Sequence, residues 1–161
     1  MGDAVIIAID PGPTESAYVK LSGTRVAECA KVPNAELLRM VRADSGPRIL
    51  IAVEMIASYG MAVGAEVFET CVMIGRICEA AGQEPLRVKR IEVKSHICHS
   101  AKANDANIRQ ALIDRYGGKD AAIGKKAKPG PLYGVSGDMW AALAVGLTVL
   151  DRQIMPMAVA A

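Results

Sequence analysis

Two uninterrupted apolar segments, each ending in a carboxylate, constrain the fold of this chain more than any other feature of its sequence. The first, residues 5–9, ends at Asp10 in an Asp-Pro-Gly turn, and the second, residues 49–53, ends at Glu54. Apolar runs of this length are typical of strands that are buried on both faces of a sheet. If the two strands are parallel neighbours, Asp10 and Glu54 project from the same edge of that sheet.

Strand and helix patterns alternate along the rest of the chain. The predicted strands are 5–9, 16–21, 25–31, 49–53 and 86–93. The predicted helices are 34–43, 62–81, one that opens at 100–104 and ends before 117, and 137–151. Asn34 is expected to cap the first helix, Gly82 to close the second and Ser136 to cap the last. The lysine-rich stretch 117–134 is predicted to be irregular.

This order of elements predicts an α/β fold with a single mixed sheet. The first three strands are expected to be antiparallel and the other two parallel, which gives five strands with helices on both faces. The chain has 161 residues, enough for one domain, so residues 1–161 are expected to form a single domain. A hydrophobic content of 52% argues against disorder.

Composition and charge restrict the class of protein. The net charge of +2 is too small to indicate nucleic-acid binding by itself, but lysine and arginine cluster at 87–102 and 119–128. The N-terminus lacks the pattern of a signal peptide, and the longest apolar stretch, 140–150, is too short to span a bilayer. The four cysteines lack the spacing of secreted proteins. We therefore expect a soluble cytosolic protein with reduced thiols and no membrane partner.

A third carboxylate, Asp138, falls in the first turn of the predicted last helix. The residues two positions before the other acids are Ala8 and Ala52, which strand alternation places on the same face as Asp10 and Glu54. Alanines at these positions allow a helix to lie close to the sheet, directly below the acids. The last helix fits that space, so we expect Asp138 to join the other two acids at one edge.

Three converging carboxylates repel one another unless a cation lies between them. A set of ligands made only of oxygens suits Mg²⁺ or Mn²⁺ better than zinc. Two such ions about 4 Å apart activate a water molecule and stabilise the leaving oxygen of a phosphodiester. Each acid alone has a simpler interpretation: Asp10 in an ordinary turn, Glu54 in solvent and Asp138 at a helix start. The three together, in this order, indicate a catalytic site.

Four segments resemble RuvC-type Holliday junction resolvases, and most of all the small RuvC-like resolvases of bacteriophages. They are the strand ends 8–12 and 52–54, the segment 93–102, and Gly137-Asp138 with the alanine-rich residues 141–144. The resemblance covers nearly the whole chain. It implies an RNase H-like fold, a homodimer, and hydrolysis that depends on Mg²⁺, with Mn²⁺ as a substitute, and that nicks four-way DNA junctions symmetrically.

The resemblance also assigns roles to individual residues. The metal-binding acids of the family are matched by Asp10, Glu54 and Asp138. Its basic residues near the scissile phosphate are matched by Lys94 and Lys102.

In one respect this chain departs from the pattern of the family. The family usually has a second acid one turn into the last helix, where this chain has Ala141. Either three acids and water suffice, or another carboxylate such as Glu66 or Glu69 helps. We expect the first, because those two glutamates lie on a separate helix.

Further residues are candidates for contact with DNA or with a partner subunit. Tyr59 follows Glu54 where the family tends to place a residue that wedges into the junction; it is interpreted either as stacking on an opened base or as packing at a helix start. The lysine-rich stretch either grips phosphates or is solvated surface. Its lysines are Lys119, Lys125, Lys126 and Lys128. Helix 62–81 has apolar residues on more than one side, which indicates contact with a second subunit.

We therefore expect a structure-selective DNA endonuclease that resolves Holliday junctions by phosphodiester hydrolysis, in the cytoplasm of a bacterium or of a phage-infected cell. The same fold leaves open a nuclease for other branched DNA or for RNA–DNA hybrids. A junction-binding protein with weak or lost catalysis also stays open, because the fourth acid is missing.

Overall fold

The computed structural model of the chain describes residues 4–159, with side chains for residues 4–153. A mixed five-stranded sheet forms the middle layer of this part. Its strands are β1 (Val5–Asp10), β2 (Glu15–Ser22), β3 (Arg25–Pro33), β4 (Ile49–Met55) and β5 (Leu86–Lys89). Their order across the sheet is β3-β2-β1-β4-β5.

The strand directions confirm the predicted α/β fold with a mixed sheet. On one side of β1, the strands β2 and β3 run antiparallel to their neighbours. On the other side, β4 is parallel to β1, and β5 is parallel to β4.

The register of β1 and β4 places Asp10 and Glu54, near the C-terminal ends of these strands, next to each other. Ala8 pairs with Ala52 and Ile9 with Val53, so Asp10 and Glu54 are the next pair in line. Neighbouring strands lie about 4.8 Å apart. The expectation that these strands are parallel neighbours is therefore confirmed.

Helices cover both faces of the sheet, as predicted. One face packs against α1 (Asn34–Asp44) and α2 (Ala65–Ala81). The other packs against α3 (Arg90–Cys98), α4 (Asp105–Arg115), α6 (Met139–Val159) and the short α5 (Lys119–Ala122). Each face has its own apolar core because alternate residues of the central strands point to opposite sides.

The last helix lies unusually close to the sheet. A Cβ placed on Gly146 would lie 2.7 Å from Leu21 Cδ1 and 3.0 Å from Ala8 Cβ. Glycine in α6 and alanine in β1 thus permit a close approach that larger side chains would prevent. This confirms the expectation that the helix packs on the alanine face, and it brings the start of α6 to the end of β1.

The boundary between β5 and α3 differs from the prediction. The sequence predicts one strand over 86–93, but the strand ends at Lys89 and a helix begins at Arg90. The prediction is wrong because Ile91 and Val93 alternate with polar residues as in a strand. The Glu92 carboxylate accepts a 2.8 Å hydrogen bond from the backbone N–H of Lys89 and fixes the helix start instead.

Helix ends and one connecting segment also differ from the prediction. α2 begins at Ala65 rather than at residue 62, and α6 continues to Val159 rather than ending at residue 151. The stretch 117–134 is more regular than predicted, because it contains α5 and two short paired strands. They are β6 (Gly124–Lys125) and β7 (Lys128–Pro129). Leu132 is fully buried and anchors this stretch on the core.

Within the part of the chain that the structure describes, no helix combines the length and the hydropathy needed to cross a membrane. The four cysteines, Cys29, Cys71, Cys78 and Cys98, are unpaired.

Candidate active site

A ring of hydrogen bonds fixes the turn that follows Asp10. The backbone N–H of Gly12 donates to the Ser16 hydroxyl at 3.2 Å, and that hydroxyl donates to Asn34 Oδ1 at 2.7 Å. Asn34 Nδ2 closes the ring by donating to the Gly12 carbonyl at 3.0 Å. A Cβ on Gly12 would lie 2.3 Å from the Glu15 carbonyl oxygen, so this turn has space only for glycine. The backbone beside Asp10 is therefore held from two directions.

Asn34 has a different role from the predicted one. The sequence predicts that it caps α1, but Pro33 occupies the N-cap position and no side chain caps the helix. The Asn34 amide is buried and is used by the turn after β1 instead. The sequence does not distinguish an asparagine that caps a helix from one that binds a distant turn, because both roles use hydrogen bonds of the same short side-chain amide to the backbone.

The ionisation of Asp10 is strongly perturbed. Burial, repulsion from Glu54 and repulsion from Asp138 together raise the pKa of Asp10 from 3.8 to about 7, although Arg90 and Lys31 oppose this. The ionised carboxylate is thus held where its charge is poorly solvated and faces two other acids. A nearby cation therefore stabilises the ionised form of such a carboxyl group more than that of an exposed one.

Glu54 is bound by an arginine that the sequence analysis did not identify. Arg90 Nη1 donates to both carboxylate oxygens of Glu54, at 3.2 and 3.4 Å, and Arg90 Nη2 pairs with Asp105. Burial raises the pKa of Glu54, and repulsion from Asp105 adds to this, while Arg90 and Lys94 lower it in part. One guanidinium is therefore shared between two carboxylates of different elements.

Asp138 lies at the start of α6 and faces a lysine from the far side of the sheet. Its backbone carbonyl accepts from the N–H groups of Ala141 and Ala142, which makes it the residue just before the helix. Its carboxylate accepts a 2.7 Å hydrogen bond from Lys31 Nζ of β3, 107 residues earlier in the chain. Asp138 therefore lies at the predicted edge of the sheet, where its negative charge is paired with the ammonium group of Lys31.

Two neighbouring depressions contain these side chains. The acid cleft, with a volume of about 90 Å³, is lined by Asp10, Arg90, Asp105, Ile108, Gly137, Asp138, Trp140 and Ala141. The Tyr59 groove, of about 440 Å³, is lined by Glu54, Ile56, Ala57, Tyr59, Arg90, Ile91, Lys94 and Ala101. Arg90 is common to both, so it lies on the boundary between them.

The predicted basic residues are distributed unequally around these depressions. Lys94 lines the Tyr59 groove and is close enough to Glu54 to lower its pKa. Lys102 lines a different depression, between the end of α3 and α4. The four lysines of the 117–134 stretch are exposed and line neither the acid cleft nor the Tyr59 groove. They are Lys119, Lys125, Lys126 and Lys128.

Tyr59 and the alternative acids are also located by the structure. Tyr59 is 64% exposed in the segment before α2 and forms one wall of the Tyr59 groove. Glu66 and Glu69 are exposed on α2 and line neither depression. Asp105 of α4 lines the acid cleft together with Ala141, the position where the predicted family pattern has its second acid.

The chemistry of the site fits a divalent metal, although the acids are not drawn around one point. Residues 4–153 contain no group of three or more His, Cys, Asp or Glu side chains close enough to hold an ion. The ammonium of Lys31 and the guanidinium of Arg90 instead occupy the cation positions at Asp138 and Glu54. All donors are carboxylate oxygens, the ligand type that Mg²⁺ and Mn²⁺ prefer. A metal would have to displace both side chains.

One of the residues that line the acid cleft has a buried hydrogen-bond donor without an acceptor. The buried indole Nε1 of Trp140 has no partner among the described residues, and the Arg109 guanidinium lies 5.1 Å from the centre of the Trp140 ring. Unsatisfied buried donors are rare, and an acceptor from solvent or ligand is one explanation for them.

Sequence reasoning missed Lys31, Arg90 and Asp105. Lys31 falls in the predicted strand 25–31 and Arg90 in the predicted strand 86–93. Charged residues in such strands are usually interpreted as solvent-exposed. The only available signal was the density of basic residues at 87–102, which does not distinguish one arginine from its neighbours.

No protein-family model matches the sequence, and no curated protein matches it either. The fold is similar to that of RuvC from Thermus thermophilus, with 17% identity, a TM-score of 0.60, and 93% of this chain and 96% of that chain covered. It is also similar to T. thermophilus RuvC in complex with a Holliday junction substrate, with 16% identity, a TM-score of 0.64, and 94% and 96% covered. The chain therefore has a RuvC-like, RNase H-like fold.

Proposed function

We propose that this chain is an endonuclease that depends on a divalent metal and resolves four-way DNA junctions by phosphodiester hydrolysis. The observation that carries the proposal is that Asp10, Glu54 and Asp138, from three distant parts of the chain, lie at one edge of a RuvC-like sheet, where burial and the charges of Glu54 and Asp138 raise the pKa of Asp10. The structural neighbour in complex with a Holliday junction substrate supports the choice of DNA. On this proposal, residues 1–161 form one nuclease domain that acts in a bacterial or phage-infected cell, as small phage resolvases do.

The three acids are the proposed ligands of Mg²⁺, for which Mn²⁺ would substitute. A bound ion would supply Lewis acidity at the phosphate and at the attacking water. The protein contributes position: the turn after β1 fixes Asp10, the parallel register fixes Glu54 beside it, and the close packing of α6 fixes Asp138. Burial of Asp10 keeps bulk water from weakening the interaction with the metal.

The basic and aromatic residues are proposed to hold the DNA. Lys94 faces the Tyr59 groove beside Glu54, where it would neutralise a phosphate next to the scissile one. Tyr59 is exposed on the same groove and would stack on an unpaired base, worth about 1–3 kcal/mol. Lys102 lines a separate depression, and the lysines at 119, 125, 126 and 128 line neither the acid cleft nor the Tyr59 groove. We therefore assign all five to the duplex arms of the junction, and for Lys102 this replaces the expected place near the scissile phosphate.

We further propose that the active form is a homodimer that uses the outer face of α2. Phe68 and Val72 of this helix are 63% and 59% exposed, one turn apart on the same face. Exposed apolar residues at helical spacing are unfavourable in water unless a partner covers them. A second copy of the chain is the partner that fits a substrate with two equivalent strands to cut.

The test is a cleavage assay with four-way junctions in Mg²⁺ and in Mn²⁺. The wild-type protein is expected to nick the junction, and Asp10→Asn is expected to lose cleavage while it still binds. Asp44→Asn, at the end of α1 and paired with Lys20, is the matched control and should cleave normally. Cleavage by Asp10→Asn at the wild-type rate would contradict the proposal.

A panel of substrates separates the alternatives. Junctions, flaps, Y-forks and RNA–DNA hybrids are compared at equal concentration. Preference for the hybrid would overturn the assignment to junctions, and equal cutting of flaps and forks would indicate a broader branched-DNA nuclease. Tight binding of junctions without nicking in either metal would indicate a binding protein that has lost catalysis.

A further inference from the structure

We propose that Arg90 is a phosphate-binding residue that the metal switches on. Its guanidinium is bound by Glu54 and Asp105, and a metal ion at Glu54 would free one side of it for a phosphate of the DNA. This inference rests on the proposed function, because it assumes that Glu54 becomes a metal ligand. It assigns Arg90 a role that no sequence motif indicated.

The position of Arg90 carries the first step of the argument. Its side chain lines both the acid cleft and the Tyr59 groove. A DNA strand that runs from one depression to the other would therefore pass Arg90. About a third of the side chain is exposed, so a ligand can reach the guanidinium without any unfolding.

The second step concerns the charges around Arg90. It is the first residue of α3, and a cation at a helix N-terminus is disfavoured by the helix dipole. The attraction of the Glu54 and Asp105 carboxylates offsets this unfavourable interaction with the dipole. The two carboxylates bind different nitrogens of the guanidinium. The arginine is therefore held at this place by these two carboxylates, one of which is a proposed metal ligand.

The third step follows from the geometry of the two bonds. Nη1 contacts Glu54, at 3.2 and 3.4 Å, whereas Nη2 contacts Asp105. If a metal took the Glu54 oxygens, Nη1 would lose its acceptors while Nη2 kept Asp105. Asp105 would then anchor the guanidinium, and the released N–H groups would belong to a side chain that lines both depressions. Arginine donors in this arrangement match the oxygens of a phosphate.

The first experiment measures metal binding by the protein alone. Arg90→Met removes the charge but keeps the aliphatic stem, and Arg90→Lys keeps the charge. Arg87→Met, on the exposed pair with Glu84 at 3.0 Å, is the control for loss of one positive charge nearby. The dissociation constant for Mn²⁺ is read from the electron paramagnetic resonance signal of the free ion. Because Arg90 competes with metal for Glu54, Arg90→Met should bind Mn²⁺ about tenfold more tightly, and Arg87→Met less than about twofold.

The second experiment measures binding of a four-way junction at several salt concentrations, with Ca²⁺ or with EDTA. One lost phosphate contact lowers the slope of log K against log salt by about 0.7–0.9. In Ca²⁺, Arg90→Met should lower the slope by this amount and weaken binding about tenfold. In EDTA, where the arginine stays on its two acids, wild type and Arg90→Met should have the same slope. Arg90→Lys should keep the wild-type slope in Ca²⁺.

Two outcomes overturn the proposal. If Arg90→Met binds Mn²⁺ no more tightly than wild type, Arg90 does not compete with the metal and only holds Glu54 in place. If the salt slope in Ca²⁺ is unchanged, Arg90 does not contact a phosphate. Both readouts are independent of cleavage. A wild-type protein that binds metal and junction but never nicks would refute the nuclease proposal. The two binding measurements would still decide the role of Arg90. Circular dichroism of each variant verifies that it is folded.

Discussion

The side-chain amide of Asn34 donates a 3.0 Å hydrogen bond to the backbone carbonyl of Gly12, 22 residues earlier in the chain. This bond joins the first turn of α1 to the turn that presents Asp10. Because the same amide also accepts from Ser16, it connects three segments near the candidate site.

Replacement of Asn34 by alanine should therefore affect both stability and catalysis. The Ser16 hydroxyl and the Gly12 carbonyl would lose their partners in a largely buried place, at a cost of about 1–3 kcal/mol. The turn would also loosen, so the cleavage rate should fall more than junction binding does. Urea unfolding and single-turnover cleavage measure the two effects. Ser45→Ala, which removes an exposed hydrogen bond to Arg42, should change stability by less than about 0.5 kcal/mol.

The stability of the protein without metal should depend on pH through Asp10. Its pKa is about 7 in the folded state against 3.8 as the ordinary value, so the folded state binds more protons between these pH values. Stability from this group is complete below about pH 4 and is lost as the pH rises through 7, by up to about 4 kcal/mol.

The measurement is urea unfolding in EDTA from pH 4 to pH 8, for wild type and for Asp10→Asn. The difference isolates Asp10 from other titrating groups, and the variant should gain in relative stability as the pH rises and level off above about pH 8. A difference that stays constant over this range would show that Asp10 titrates normally. Adding Mn²⁺ at pH 7.5 should stabilise wild type more than the variant.

A methyl group at Gly146 should push α6 away from the sheet. Alanine in place of glycine favours a helix by about 1 kcal/mol, but the added Cβ would lie 3.0 Å from Ala8 Cβ and 2.7 Å from Leu21 Cδ1. Overpacking of a core typically costs about 1–3 kcal/mol, so Gly146→Ala should be neutral to destabilising and should slow cleavage by displacing Asp138.

Gly46→Ala, in the turn before β4, is the control, because a Cβ there meets nothing within 4 Å. It should stabilise the protein by about 0.4–1 kcal/mol. Equal stabilisation by both substitutions would contradict the close packing of α6.

A charge on the outer face of α2 should prevent dimerisation. Phe68→Glu places a carboxylate at the centre of the exposed apolar face, and a buried unpaired charge at an interface is strongly unfavourable. Size-exclusion chromatography with light scattering should give a dimer for wild type and a monomer for the variant. Tyr133→Glu, at a side chain that is 46% exposed in another region, should stay dimeric. A wild-type monomer at micromolar concentration would refute the dimer proposal.

The difference between what sequence predicts and what it misses is clearest around Glu54. That this glutamate directly follows the apolar part of a strand is visible in residues 49–53, because burial on both faces requires a continuous apolar run. That Arg90 binds it is not visible, because the two residues are 36 positions apart and the chain around Arg90 reads as a strand. The predicted strand 86–93 failed for the same reason, since one hydrogen bond from Lys89 to Glu92 decides where the helix begins.

The sequence by itself determined the first four strands of the sheet, their apolar faces, and the positions of Asp10 and Glu54 near the ends of two of them. These features follow from local periodicity and from the free energy of burying apolar side chains, which act on a few consecutive residues. Only the tertiary structure decided which charges meet: Lys31 with Asp138 across 107 residues, and Arg90 with its two acids. Pairings of this kind depend on how whole elements pack and on competition among many charged side chains, and short-range patterns contain no record of either.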